Sequence, residues 1–170
     1  MRVRPWLLFG AATVFGALLS RPELASAITV RQHAVACWWD TLQSGNSPFV
    51  HGGNVSVTNN SAGTSTLLCP ASDTPSLAKS QQVTLRVNGF DGNAVTNASY
   101  RACVTFSTMQ GGECGLTVSS AGTGNHALSV NTVRWQLNDA HYGYLVAQIP
   151  AKDANTQAAS YFRGFSGSNP

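Results

Sequence analysis

Charge is scarce in this chain. Asp, Glu, Lys and Arg together make up 10% of its 170 residues, against about 25% in an ordinary soluble domain. Lysine occurs only at Lys79 and Lys152, and the basic residues stand singly along the sequence. Nucleic-acid binding rests on clustered Lys and Arg that neutralise phosphates, so no nucleic-acid partner is expected. Carboxylates are as scarce. Beyond residue 27 the acids are Asp40, Asp73, Asp91, Glu113, Asp139 and Asp153, most of them in turn-like settings where Asp hydrogen-bonds the backbone. That is poor material for the paired acids of glycoside hydrolysis.

Catalytic and metal motifs are missing too. The nearest approach to G-x-S-x-G is Gly164-Phe165-Ser166-Gly167-Ser168, which fails at its fifth position and has no Asp or His after it. There is no H-E-x-x-H and no C-x-x-C. His33, His51, His126 and His141 are isolated apart from Asp139-x-His141, which reads as a loop salt bridge. Asp91, within Gly89-Phe90-Asp91-Gly92-Asn93, lacks the alternating oxygen ligands of an EF-hand loop and reads as a turn. No catalytic residue, metal or cofactor is therefore assigned. Helical periodicity is absent as well: no segment after residue 27 sustains it for three turns, and Pro150 to Ala159, polar and interrupted by Asn, reads as loop or one turn.

One long apolar run is present, Trp6 to Leu19, behind Arg2 and Arg4. As a helix its 14 residues span about 21 Å, short of the roughly 30 Å hydrocarbon core of a bilayer. Pro22 and Glu23 follow, then Ala25-Ser26-Ala27, whose small side chains suit the shallow pockets of signal peptidase. Residues 1–27 are expected to be a signal peptide cut before Ile28, leaving a single domain over 28–170, secreted or periplasmic, with no membrane anchor. All four cysteines, Cys37, Cys69, Cys103 and Cys114, fall in that domain. An even count in an exported chain predicts two disulfides. Of the three connectivities the sequential one is favoured, because Gly111-Gly112 lets the chain reverse between Cys103 and Cys114.

The remaining pattern has period two. Val83, Leu85 and Val87 alternate with Thr84, Arg86 and Asn88, and Ala102, Val104 and Phe106 with Arg101, Cys103 and Thr105. The loop between them, dense in Asn, Gly and Asp, reads as the turn of a hairpin. Shorter strands are expected at His33–Trp38, Val55–Thr58, Thr64–Cys69, Tyr144–Ile149 and Ser160–Phe165, with a frayed tail from Gly164. Within Ala127–Leu137 the apolar parity switches, which calls for a β-bulge near Asn131-Thr132 or two short strands. About eight or nine short strands predict an antiparallel β-sandwich of jelly-roll type. Trp38 directly after Cys37 does not fit the immunoglobulin pattern, which places its Trp well inside the bridged interval.

Aromatic residues are the remaining handle. Trp38 and Trp39 would face opposite sides of a strand, one toward the core and one outward. With Trp135 they form the candidate ligand platform, joined by the rings of Tyr142, Tyr144, Tyr161, Phe162 and Phe165. The leading reading is a non-catalytic exported binding or structural module whose partner is a glycan or another extracellular protein. A carbohydrate-binding or carbohydrate-active protein and a secreted inhibitor presenting the loop around Asp91 are the alternatives.

The early Cys37, the Asn/Ser-rich stretch to Leu68-Cys69-Pro70, the Val83-Thr84-Leu85-Arg86-Val87 strand, Cys103 and the late Gly143-Tyr144-Leu145 to Ile149-Pro150 string form a layout over residues 33–165. It resembles a group of secreted single-domain bacterial proteins, myxobacterial ones especially. The resemblance implies a disulfide-bonded β domain. Members often carry a late-strand Cys where this chain has Ala147, with Cys114 the substitute partner here. The group brings no established activity, so it transfers no functional residue.

Overall fold

The computed structural model describes residues 30–39, 49–52, 56–71, 83–106, 112–132 and 141–168. The expected signal peptide, Trp135 and Asp139 lie outside these segments. Two six-stranded antiparallel sheets are found among the described residues. The first contains β1 (Val30–His33), β3 (Phe49–Gly52), β4 (Ser56–Asn59), β6 (Thr84–Asp91), β10 (Gly124–Asn131) and β12 (Tyr161–Ser168). The second contains β2 (Trp38–Trp39), β5 (Ser65–Pro70), β7 (Ser99–Phe106), β8 (Gly112–Cys114), β9 (Val118–Ser119) and β11 (His141–Ile149). From β4 onward the chain changes sheet at almost every connection. Strand order β10-β6-β12-β4 in one sheet faces β5-β11-β7-β8 in the other, which is the winding of a jelly roll. The additional strands beyond eight or nine are short ones at the margins, β1, β2, β8 and β9.

Alternation drives the packing. On β6 every second residue is buried, and Val83, Leu85 and Val87 lie in the core with Leu67, Leu145, Ile149, Tyr100 and Phe162. Each such aliphatic side chain contributes about 1.5–3 kcal/mol on burial. Disulfides join Cys37 to Cys69 and Cys103 to Cys114, the sequential connectivity.

Local pattern misleads in three places. β6 and β7 are not a hairpin: they lie in opposite sheets, and residues 92–98 carry the chain across the sandwich. A turn-rich loop looks alike whether the strands it joins pair or face each other about 10 Å apart. The strand expected over His33–Trp38 is broken by a 3-10 turn at Ala34–Ala36, where Cys37 N–H donates to the Ala34 carbonyl. Gly164–Ser168 is no tail. It lies within β12, paired with β6 on one side and β1 on the other. Its glycine and serine content reflects a β-bulge between Phe162 and Gly164, where Gly164 has φ +134° and a Cβ would strike the Gln32 carbonyl. On β10 the parity holds through Val130 and Thr132, both buried, with Asn131 exposed between them, and pairing with β6 is uninterrupted up to Asn131; the parity switch expected from Val133 onward lies outside the described segments.

Candidate functional site

The outer face of the second sheet gathers the exposed rings. Trp38 points outward from β2 and is 61% exposed, while Trp39 turns inward and packs against the core. The register sets Trp38 beside Leu68, Leu68 beside Val146, and Val146 beside Arg101, one row across β2, β5, β11 and β7. The next row runs Pro70, Tyr144, Cys103, Cys114. Tyr142, two residues before Tyr144 on the same face of β11, is 59% exposed. Trp38, Leu68, Pro70, Tyr142, Tyr144 and Val146 border a groove of ≈ 520 Å³ that Thr66 and Arg101 also line.

Polar groups accompany the rings. Arg101 is exposed and makes no ion pair or hydrogen bond among the described residues. Thr105 Oγ1 donates to the Tyr142 carbonyl at 3.3 Å, and Ser99 Oγ donates to Gln148 Oε1 at 2.9 Å. Both disulfides stiffen this face. Cys37–Cys69 ties the two-residue β2 to β5, and Cys103–Cys114 ties the edge strand β8 to β7. Trp38 therefore sits on a strand too short to hold itself by hydrogen bonds alone.

The polar residues inside the sandwich serve structure instead. Asp91, fully buried, accepts from Ser120 Oγ, from Ala98 N–H at 2.8 Å and from Asn93 N–H at 3.0 Å. Tyr100 Oη and His126 Nε2 lie 2.7 Å apart; burial and the Asp91 charge push the Tyr100 pKa upward, and burial lowers that of His126 against the pull of Asp91. Gly89 admits this pair, since a Cβ there would meet both His126 Nε2 and Tyr100 Oη. Among the described residues no three His, Cys, Asp or Glu cluster as metal ligands.

Of the expected platform the structure places Trp38 on the groove and Trp39 against the core; Trp135 lies outside the described residues. Tyr142, Tyr144, Arg101 and Thr66 join Trp38. Tyr142 and Tyr144 were within reach of sequence, because they alternate with Gly143 and Leu145. Arg101 and Thr66 were not, since only strand register brings them near a Trp.

No family model matches the chain, and no curated protein matches it. Several solved structures are similar to it, one at a TM-score that shows a shared fold. The chain is similar to the xylan-binding module CBM15, with a TM-score of 0.50 and 10% identity over 84% of this chain and 96% of that one. It is also similar to the CBM36-1 domain of a multidomain xylanase from the hindgut metagenome of Trinervitermes trinervoides, at TM-score 0.46 and 8% identity, covering 84% and 98%. Against a family two carbohydrate esterase from Cellvibrio japonicus the TM-score is 0.42 and the identity 9%, covering 85% of this chain and 34% of that one. At such identities the likeness concerns the β-sandwich alone.

Proposed function

We propose that this chain is an exported, non-catalytic carbohydrate-binding module whose ligand, a neutral polysaccharide, lies along the groove on the outer face of the second sheet. The observation that carries the reading is the pair Trp38 and Tyr142, both more than half exposed, bordering one groove with Thr66 and Arg101. A pyranose has an apolar C–H face and a rim of hydroxyls. An aromatic ring buries the first while flanking polar side chains take up the second. In the sequence no hydrogen-bonding cluster stands beside the tryptophans; in the folded chain strand register supplies one. The shared fold with a module described as xylan-binding makes xylan the first ligand to try. Export rests on the N-terminal pattern and on two disulfides, bonds that persist in oxidising compartments.

Titration with soluble xylan and cello-oligosaccharides tests the site. Trp38→Ala is expected to weaken binding at least about tenfold, a loss of about 1.4 kcal/mol. Because the ring is exposed, stability should stay within about 1 kcal/mol of the parent. Wild-type affinity in both Trp38→Ala and Tyr142→Ala, or failure of the parent to bind any of these sugars, would overturn the reading.

A further inference from the structure

The opposite face of the molecule carries a different chemistry. Arg31 on β1, Ser166 on β12, Arg86 on β6 and Ser129 on β10 form one continuous cross-strand row on the outer side of the first sheet. Arg31 and Arg86 flank a single strand, so they stand about 10 Å apart, two strand spacings. Both are exposed, and neither makes an ion pair or hydrogen bond among the described residues. Arg163, in the bulge of β12, completes the set. Its guanidinium lies 5.1 Å from the centre of the Tyr161 ring and donates from Nη2 to Tyr161 Oη at 3.0 Å, while Phe90 stacks on Tyr161 at 5.1 Å. This side chain is held in place before any ligand arrives. Arg31, Arg163, Asn88 and Ser166 border a groove of ≈ 290 Å³.

Among the described residues the acids are Asp91, Glu113 and Asp153. Asp91 is buried, Glu113 belongs to β8 of the other sheet, and Asp153 lies in the loop before β12. Among the described residues, therefore, no carboxylate neutralises this arginine face.

We propose that the outer face of the first sheet is a second binding surface, for an acidic polysaccharide whose sugar carboxylates pair with Arg31, Arg86 and Arg163. The cations here are all arginines, whose planar fork matches a carboxylate through two parallel hydrogen bonds. Around them stand hydroxyl and amide side chains, Asn88, Ser129 and Ser166, suited to a hydroxyl-rich polymer. A membrane fits poorly, because among the described side chains none of the large exposed hydrophobic ones, Val35, Trp38, Val95, Leu116 and Tyr142, lies on the strands of this sheet. Nucleic acid fits poorly, because three spaced guanidiniums fall short of the six to ten phosphate contacts typical of duplex binding. Strand spacing, about 4.8 Å, is close to the length of one sugar residue, so guanidiniums two strands apart suit a polymer that repeats its carboxylate.

The test is binding of the full chain to polygalacturonate, with neutral xylan and duplex DNA as competitors. The expected result is binding that weakens with added salt and that neither competitor displaces at matched concentration. The double substitution Arg31→Gln/Arg86→Gln should reduce it at least about tenfold with an unchanged melting curve, while Trp38→Ala leaves it intact. Arg163→Gln, a single change outside that row, serves as a second variant should the double one lose its fold. No binding of polygalacturonate, equal displacement by DNA, or full affinity in a folded variant would overturn the proposal. Since Trp38 and the arginines lie on opposite faces, this surface and the xylan groove succeed or fail separately.

Discussion

Asp153 shows how a chain with few charges uses them. Its carboxylate accepts N–H groups from Asn155 and Thr156 in its own loop and from Ala94 in the loop between β6 and β7, so one residue latches two loops together. These bonds, that from Thr156 foremost and then that from Ala94, lower its pKa from 3.8 to about 2. A carboxylate depressed by folding stabilises above its unfolded pKa, and the contribution fades as pH falls through the folded value. His126 has the same sign at a higher pH: burial lowers its pKa from 6.5, so the unfolded chain takes up the proton first. Thermal stability is therefore expected to decline in two stages, the first beginning below about pH 6.5 and the second between about pH 4 and 2. Melting curves against pH check this, and Asp153→Asn should remove the second stage. A full decline below pH 4 in that variant would show that the latch does not depend on the charge. Sequence reading reached the turn-like character of these acids but not their partners, because Ala94 and Asp153 are 59 residues apart.

At the scale of elements, β2 is only two residues long and bears Trp38, the ring proposed to seat the ligand. Two residues pair with β5, and the Cys37–Cys69 bridge closes a separation of 32 residues across them. Loop-closure entropy assigns that bridge roughly 3.5–4 kcal/mol and the 11-residue Cys103–Cys114 loop roughly 3. Replacing each cysteine pair by serine should lower stability by those amounts in urea melts. Xylan affinity should suffer more in the Cys37/Cys69 variant, since Trp38 loses its support. Equal xylan affinity in the two variants would refute this role for β2. The alternation that placed β5, β6, β11 and β12 was legible because period two survives any tertiary arrangement. The break at Ala34–Ala36 was not, because Ala34 leaves the strand to reach the core, where it is fully buried.

On the scale of the whole molecule, the jelly roll separates two outer faces of opposite character, one aromatic and one rich in arginine. Both would be displayed only after export. Ala25-Ser26-Ala27 meets the small-residue requirement of signal peptidase, so N-terminal sequencing of protein recovered outside the cytoplasm should begin at Ile28. Recovery of Met1 on a membrane-bound product would overturn that processing.

The amino-acid sequence by itself determined the class of this protein. Apolar alternation dictates sheets that bury one face, four cysteines dictate two bridges, and scarce charge leaves surfaces built from hydroxyls, amides and a few rings. Only the tertiary structure decided which strands are neighbours. Register is a long-range property: Trp38 meets Leu68, and Leu68 meets Val146, through hydrogen bonds between segments that carry no mark of one another. The same holds for Arg31 and Arg86, 55 positions apart in sequence yet on one row through Ser166. Periodicity says which side chains share a face of their own strand. Strand order alone says what those faces hold in common, and both candidate surfaces are properties of strand order.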